Sequence, residues 1–126
     1  MSVIDLIIRI KNGYMAKREQ IVSPYSKYRE SVVCKLKELG YITEYRIEGD
    51  VIKSIIIDLR YDDGVPALTD VRVFSTPGRR MYKPYKEVKS VKGGMGHAII
   101  SSSKGIVTDC EAKKAQVGGE LLFYIW

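Results

Sequence analysis

Apolar residues change their spacing repeatedly along the first half of the chain, and each change predicts an element. Val3, Ile4, Ile7, Ile8 and Ile10 fall on or beside one helical stripe. Ser2 with Asp5 three residues on resembles a capping box, so a first helix is expected to about Lys11, stopped by Asn12-Gly13. Gln20 to Ser23 reads as a short strand. Ser26 is the N-cap of a second helix whose inner face is Val32, Val33, Leu36 and Leu39, and Gly40 supplies its left-handed end. A strand from Tyr41 to Ile47 then turns at Glu48-Gly49-Asp50. Its partner, Val51 to Tyr61, alternates Ile55, Ile57 and Leu59 against Ser54, Asp58 and Arg60, with Ile56 as the exception.

Asp62-Asp63-Gly64-Val65-Pro66 groups acids, a glycine and a proline and reads as a boundary between two lobes, residues 1–64 and 65–126. Beyond it Leu68 to Ser75 is a strand, Thr76-Pro77-Gly78-Arg79 fits a type II turn, and Arg80 to Lys92 is irregular. Ala98 to Ile100 and Ile106-Val107 are apolar steps around Ser101-Ser102-Ser103-Lys104-Gly105, a pattern of strand, tight turn and strand. Thr108 with Glu111 forms a capping box for a short helix over about Asp109 to Gln116, ended by Gly118-Gly119. Glu120 to Trp126 is apolar on both faces after its first residue, as an interior strand is. The expected class is α+β: an N-terminal α-β-α-β-β lobe packed against a smaller, mainly β C-terminal lobe with one short helix.

Charge separates the two halves. Residues 1–64 carry eleven Lys and Arg against ten Asp and Glu, while residues 65–126 carry ten against five, so nearly all of the net +6 lies in the second half. Between Val71 and Lys104 stand Arg72, Arg79, Arg80, Lys83, Lys86, Lys89, Lys92 and Lys104 with one anion, Glu87, and with Tyr82 and Tyr85 among them. A basic stripe with interleaved aromatics is the footprint of nucleic-acid binding. Cys34 and Cys110 stand far apart, which suggests neither a disulfide framework nor a metal site and fits two reduced, packing thiols in a cytosolic setting. The opening residues, interrupted by Asp5 and Arg9, are too polar for a signal peptide or a membrane span, and no membrane partner is expected.

The stretch from His97 to Thr108 is the strongest candidate site. Strand pleating would turn Ser101 and Ser103 to one face and Ser102 to the other, and Gly105 can take the positive φ of a tight turn. Small hydroxyls beside a lysine suit phosphate oxygens and ribose 2′-hydroxyls. Catalysis is the competing class and finds little support. Ser101 to Lys104 spells Ser-x-x-Lys, but the Ser-Asp-Asn and Lys-Thr-Gly elements that accompany that nucleophile are absent. His97 is a lone histidine beside an apolar run, Gly94-x-Gly96 lacks the third glycine of a dinucleotide site, and no catalytic residue or cofactor is expected.

Several segments together resemble one family. Arg9-Ile10-Lys11-Asn12-Gly13, Ser75-Thr76-Pro77-Gly78-Arg79-Arg80-Met81-Tyr82, Gly94-Met95-Gly96, Ser101 through Asp109 and Gly118-Gly119-Glu120 stand in the order and spacing of bacterial-type small-subunit ribosomal protein eight. The resemblance covers essentially the whole chain. It implies a structural, non-enzymatic role in the small subunit of a bacterial ribosome in the cytoplasm, or of an organellar one. It also implies binding to a helical stem in the central domain of small-subunit rRNA, beside neighbouring small-subunit proteins. Carried over residue by residue, Ser101, Ser102, Ser103, Lys104, Gly105, Tyr82 and Glu120 would touch that stem. Many bacterial members also bind a stem in their own operon's messenger, so its own mRNA is a second candidate partner. Two departures stand out: the family often has threonine where this chain has Ser102, and the usual Asp-Pro opening before the first helix is absent.

The chemistry of the side chains agrees. Lys83, Lys86, Lys104 and Arg79 would neutralise phosphates, Tyr82 would stack on a base or pack against a ribose, and Glu120 would orient a lysine or accept from a base amino group. In the first lobe Asn12, Lys17, Arg18, Lys27 and Arg29 could form a second, weaker RNA face. A solvated helix surface is the plainer account of Lys27 and Arg29.

Overall fold

The computed structural model describes residues 3–76 and 78–126. The expected Ser2 cap and the Pro77 turn lie outside the described residues. The chain divides into two compact units, Val3–Leu68 and Thr69–Trp126.

The first unit follows the order α1 (Val3–Met15), β1 (Gln20–Pro24), α2 (Lys27–Leu39), β2 (Ile42–Glu48) and β3 (Ser54–Leu59). Its sheet is antiparallel in the order β1-β3-β2, with Ile57 of the central strand between Ile21 and Tyr45. Ile55, Ile57 and Leu59 are buried with Leu6, Ile7 and Ile10 of α1 and Val32, Val33 and Leu36 of α2. Ile56, on the other face, is also buried, flanked on the central strand by Val22 and Arg46. Ser26 caps α2 by accepting a hydrogen bond from the Arg29 backbone N–H at 3.0 Å, and Gly40 ends it at φ 86°.

Asn12-Gly13 does not stop the first helix, which continues to Met15. A Cβ on Gly13 would lie 2.4 Å from Ile21 Cγ2 and 3.1 Å from Leu59 Cδ1, so this glycine admits the sheet against the helix rather than breaking it. Arg29 is not on a solvated surface either. It is 2% exposed, donates to the buried Ser23 hydroxyl and to Asp5 Oδ2 of α1 at 3.2 Å, and so links α1, β1 and α2. A guanidinium can be buried here because hydrogen bonds satisfy it, a condition invisible to helical periodicity. Glu30 accepts from the hydroxyls of Tyr25 and Tyr45, both at 3.3 Å. Burial, with Cys34 and Glu30 alongside, pushes the Tyr45 hydroxyl up to about 12, so it stays protonated and donates.

The segment read as a boundary is a small hairpin of the first unit, β4 (Tyr61–Asp62) against β5 (Val65–Pro66), and the two units divide after Leu68. In the second unit the strand expected from Leu68 to Ser75 shortens to β6 (Val71–Val73). Upstream of it, the Thr69 and Asp70 backbones donate to the Trp126 carbonyl. Then come β7 (Tyr82–Lys83), two short 3-10 turns (Tyr85–Glu87 and Lys92–Gly94), β8 (His97–Ser102), β9 (Gly105–Thr108), α3 (Asp109–Ala115) and β10 (Gly119–Ile125). The sheet order is β6-β10-β8-β9, with β7 also on β10, which makes the terminal strand an interior one as its two apolar faces predict. Thr108 and Glu111 form the expected capping box. Asp109 is buried and accepts from the Ala98 backbone N–H at 3.3 Å, tying α3 to β8. Gln116 at φ 55° ends this helix, not Gly118-Gly119.

Gly13→Ala should lower the unfolding free energy measured in urea by about 1–3 kcal/mol through overpacking, although alanine alone favours a helix by about 1 kcal/mol. Hydrogen bonding from Arg9 and then Arg29 holds the Asp5 carboxyl below its ordinary value, against the opposing effect of burial. A group depressed in the folded state stabilises above its unfolded pKa and loses that contribution as pH falls through the folded one. Asp5→Asn should therefore flatten the decline of the urea midpoint below about pH 4 relative to the unsubstituted chain.

Candidate nucleic-acid interface

The Ser-rich segment closes as a tight hairpin in which Ser102 pairs with Gly105 and Ser103-Lys104 form the turn. Gly105 takes φ 101°, the left-handed position that allows such a turn to rejoin its strand. The Ser102 hydroxyl donates to the Gly105 carbonyl at 3.0 Å and accepts from the Lys104 backbone N–H at 3.1 Å. It therefore staples the turn, and only one lone pair is left for a ligand. Ser103 leaves the strand and does not share a face with Ser101, because β8 ends at Ser102. It is exposed at the tip with Lys104.

Strand β10 gathers the other candidates beside this hairpin. Glu120 pairs with Tyr82 on one side and Ser101 on the other, and Ser101 pairs in turn with Ile106. Directly opposed residues share a face, so Tyr82, Glu120 and Ser101 form one row across three strands. Lys83, Gly119, Ser102 and Gly105 form the next row, on the opposite face. Tyr82 is 69% exposed, Ser101 half-buried and Glu120 buried. Ser75 sets the place of β7: its hydroxyl donates to the Leu121 carbonyl at 2.7 Å and accepts from the Met81 N–H at 3.0 Å.

Gly118 and Gly119 make these rows possible. A Cβ on Gly119 would stand 2.2 Å from the Ser101 carbonyl oxygen, and one on Gly118 would stand 2.5 Å from that of Lys83. As a local pattern the pair predicts a helix stop, but the requirement here is close approach of backbone to backbone.

The basic stripe sorts into held and open cations. Arg72 lies over the Phe74 ring at 5.1 Å and Lys92 over the Trp126 ring at 4.5 Å. Arg80 pairs with Glu120 at 3.2 Å, so the partner of that carboxylate is an arginine and not the lysine expected. Among the described residues Arg79, Lys83, Lys86, Lys89 and Lys104 form no ion pair, and all but the half-buried Lys83 are exposed. Arg79 sits in the turn whose backbone pairs with Thr76 in both directions. Lys86 stands on the first 3-10 turn.

In the first unit Asn12 and Arg18 line an open groove of about 500 Å³ with Arg9, Gly13, Ala16, Gln20, Ile21 and Val22. Lys17 is next to it in sequence, exposed and at φ 56°. Lys27, in the first turn of α2, follows the opposite end of β1 and is not among the groove residues, while Arg29 is buried and engaged. Arg9 also lines this groove, paired with Asp5 at 2.9 Å, although in the sequence it stands out only as a charge interrupting the opening apolar run and as the first residue of a family segment. No helix among the described residues is long and apolar enough to cross a membrane.

A family model described as ribosomal protein S8 matches residues 2–126. The chain belongs to that family. It is 41% identical over 126 residues to the small ribosomal subunit protein uS8 of Rubrobacter xylanophilus, covering 98% of this chain and 96% of that one. To the uS8 proteins of Coxiella burnetii and Mycoplasmopsis synoviae it is 40% identical over 122 and 124 residues. Those matches cover 96% and 97% of this chain and 94% of each relative.

Gly119→Ala should cost about 1–3 kcal/mol or more in urea unfolding and should speed amide exchange at Ser101 and Ser102, as β8 is pushed from β10. Gly105→Ala meets open space and should cost only about 1 kcal/mol, from its positive φ.

Proposed function

We propose that this protein is a structural component of the small ribosomal subunit that binds a helical stem in the central domain of small-subunit rRNA. The contacts are made at the Tyr82–Glu120–Ser101 row, where Tyr82 and Ser101 meet the RNA and Glu120 acts through its pairing with Arg80, at the Ser103-Lys104-Gly105 tip and at the cations Arg79, Lys83 and Lys86. The observation that carries this reading is the row itself: an exposed aromatic, a charged pair and a small hydroxyl aligned on one face beside a cationic hairpin tip. The wide minor groove of A-form RNA displays 2′-hydroxyls that short serine side chains can reach, while lysines along the same edge take phosphates. Lys83 and Ser102, on the opposite face at the same sheet end, would be met where the RNA wraps the rim. Ser102 then acts chiefly by holding the turn.

The two units act as lobes in this reading, residues 69–126 holding most RNA contacts. The groove with Asn12, Lys17 and Arg18 supplies a weaker second face, to which Lys27 adds general attraction only. Neighbouring small-subunit proteins cover other surfaces. A stem of the same shape in the protein's own messenger would use the same row, because shape and ribose hydroxyls, not a long base sequence, are what it reads. Competition between the two RNAs for one site tests that extension.

The salt and sugar dependences separate charge from shape. With about six phosphates neutralised, affinity should fall roughly a thousandfold between 50 and 200 mM salt. The same stem made as DNA should bind far more weakly at every salt concentration. Lys83→Ala should lower the salt slope and leave the RNA-to-DNA ratio nearly unchanged, whereas Ser101→Ala should lower the ratio and leave the slope. If both variants change only the slope, recognition is by charge alone and the reading fails.

A further inference from the structure

We infer that Arg80 and Glu120 work as one unit, in which the carboxylate aims the guanidinium at a backbone phosphate and the guanidinium cancels a carboxylate that RNA would otherwise repel. This deepens, and rests on, the RNA-binding reading above. Glu120 stands in the middle of the row, between Tyr82 and Ser101, with its side chain 12% exposed. A bare anion there would oppose every phosphate approaching the row, and strongly, because a shielded charge is poorly screened by water and salt. Arg80 removes that obstacle from within the molecule. Its Nη1 reaches both carboxylate oxygens, at 3.3 and 3.2 Å.

The geometry leaves the other edge of the guanidinium available. Only Nη1 is engaged, so Nε and Nη2 have no partner among the described residues, and the side chain is 54% exposed. Those two nitrogens form a planar fork matched to two oxygens of one phosphate. A phosphate presents two oxygens to both nitrogens of such a fork at once, whereas a ribose 2′-hydroxyl in the minor groove presents one, so phosphate is the better-matched acceptor. Lysine cannot replace this arrangement, since an ammonium is a point charge without a second planar edge. Arg80 is thus the binding group and Glu120 the positioning residue, which distinguishes Glu120 from a direct acceptor of a base amino group.

The test is a double-mutant cycle on the full chain with the rRNA stem, measuring affinity and salt slope for R80A, R80K, E120Q and R80A/E120Q, with a thermal melt of each. R80A should weaken binding by about ten- to a hundredfold and reduce the salt slope by about one. Adding E120Q should recover affinity several-fold while the slope stays low, since the double variant removes the repulsion but not the missing contact. R80K should hold the slope yet bind more weakly than the unsubstituted chain. Wild-type affinity in R80A, or a double variant weaker than R80A alone, would overturn the inference. The second outcome would make Glu120 a direct RNA contact. If the unsubstituted chain does not prefer the stem to its DNA counterpart, the RNA reading fails first, with this inference.

Discussion

Two successive residues without side chains, Gly118 and Gly119, allow the C-terminal sheet to exist in its observed form. Strand β10 runs so close to the backbones of Lys83–Tyr85 and Ser101–Ser102 that a methyl group at either glycine would overlap main-chain atoms, which have no rotamer to retreat into. Because β10 is the interior strand, this approach brings β7 and β8 within one strand of each other, though eighteen residues separate Lys83 from Ser101. The Tyr82–Glu120–Ser101 row follows from it. Ser75, two residues past β6, ties β10 to the residue that precedes β7, its buried hydroxyl donating to the Leu121 carbonyl and accepting from the Met81 N–H.

The two units handle charge differently. In the first, charges largely meet opposite charges nearby: Arg9 with Asp5, the half-buried Lys35 with Glu38, Lys37 with Glu44, Arg46 with Glu48 and Arg60 with Asp62. Such surface pairs add little stability but cancel each other's field at a distance. In the second, five of the eight stripe cations lack a partner among the described residues and two more sit over aromatic rings, which neutralise nothing. The positive charge of the second unit is therefore less cancelled than that of the first, and two of its open cations, Lys83 beside Gly119 and Lys104 at the hairpin tip, stand at the end of the sheet that carries the row.

Preorganisation recurs at the same place. The Ser102 hydroxyl spends two of its three bonding capacities on its own turn, Gly105 holds the left-handed angle, and Glu120 engages Arg80 before any ligand arrives. Groups restrained in this way lose little further freedom on binding. Tyr82, by contrast, is largely exposed, and among the described residues its anchor is its backbone pairing with β10.

Local patterning by itself determined the helices, the Ser26 and Thr108 caps, the left-handed Gly40 and the interior character of the last strand. Those features depend on neighbours within about four residues, or on the two faces of one strand. The motif spacing identified the family. It could not reveal that Gly13 and Gly118-Gly119 serve close packing instead of helix ends, because a glycine required by a distant backbone looks the same as one required by φ. Nor could it show Arg29 buried on Ser23 and Asp5, or Arg80 on Glu120, since whether a cation meets water or a carboxylate is decided by residues 24 and 40 positions away. Only the fold sets those neighbours, and with them it brings a serine, a tyrosine and a glutamate from three separate strands onto one face.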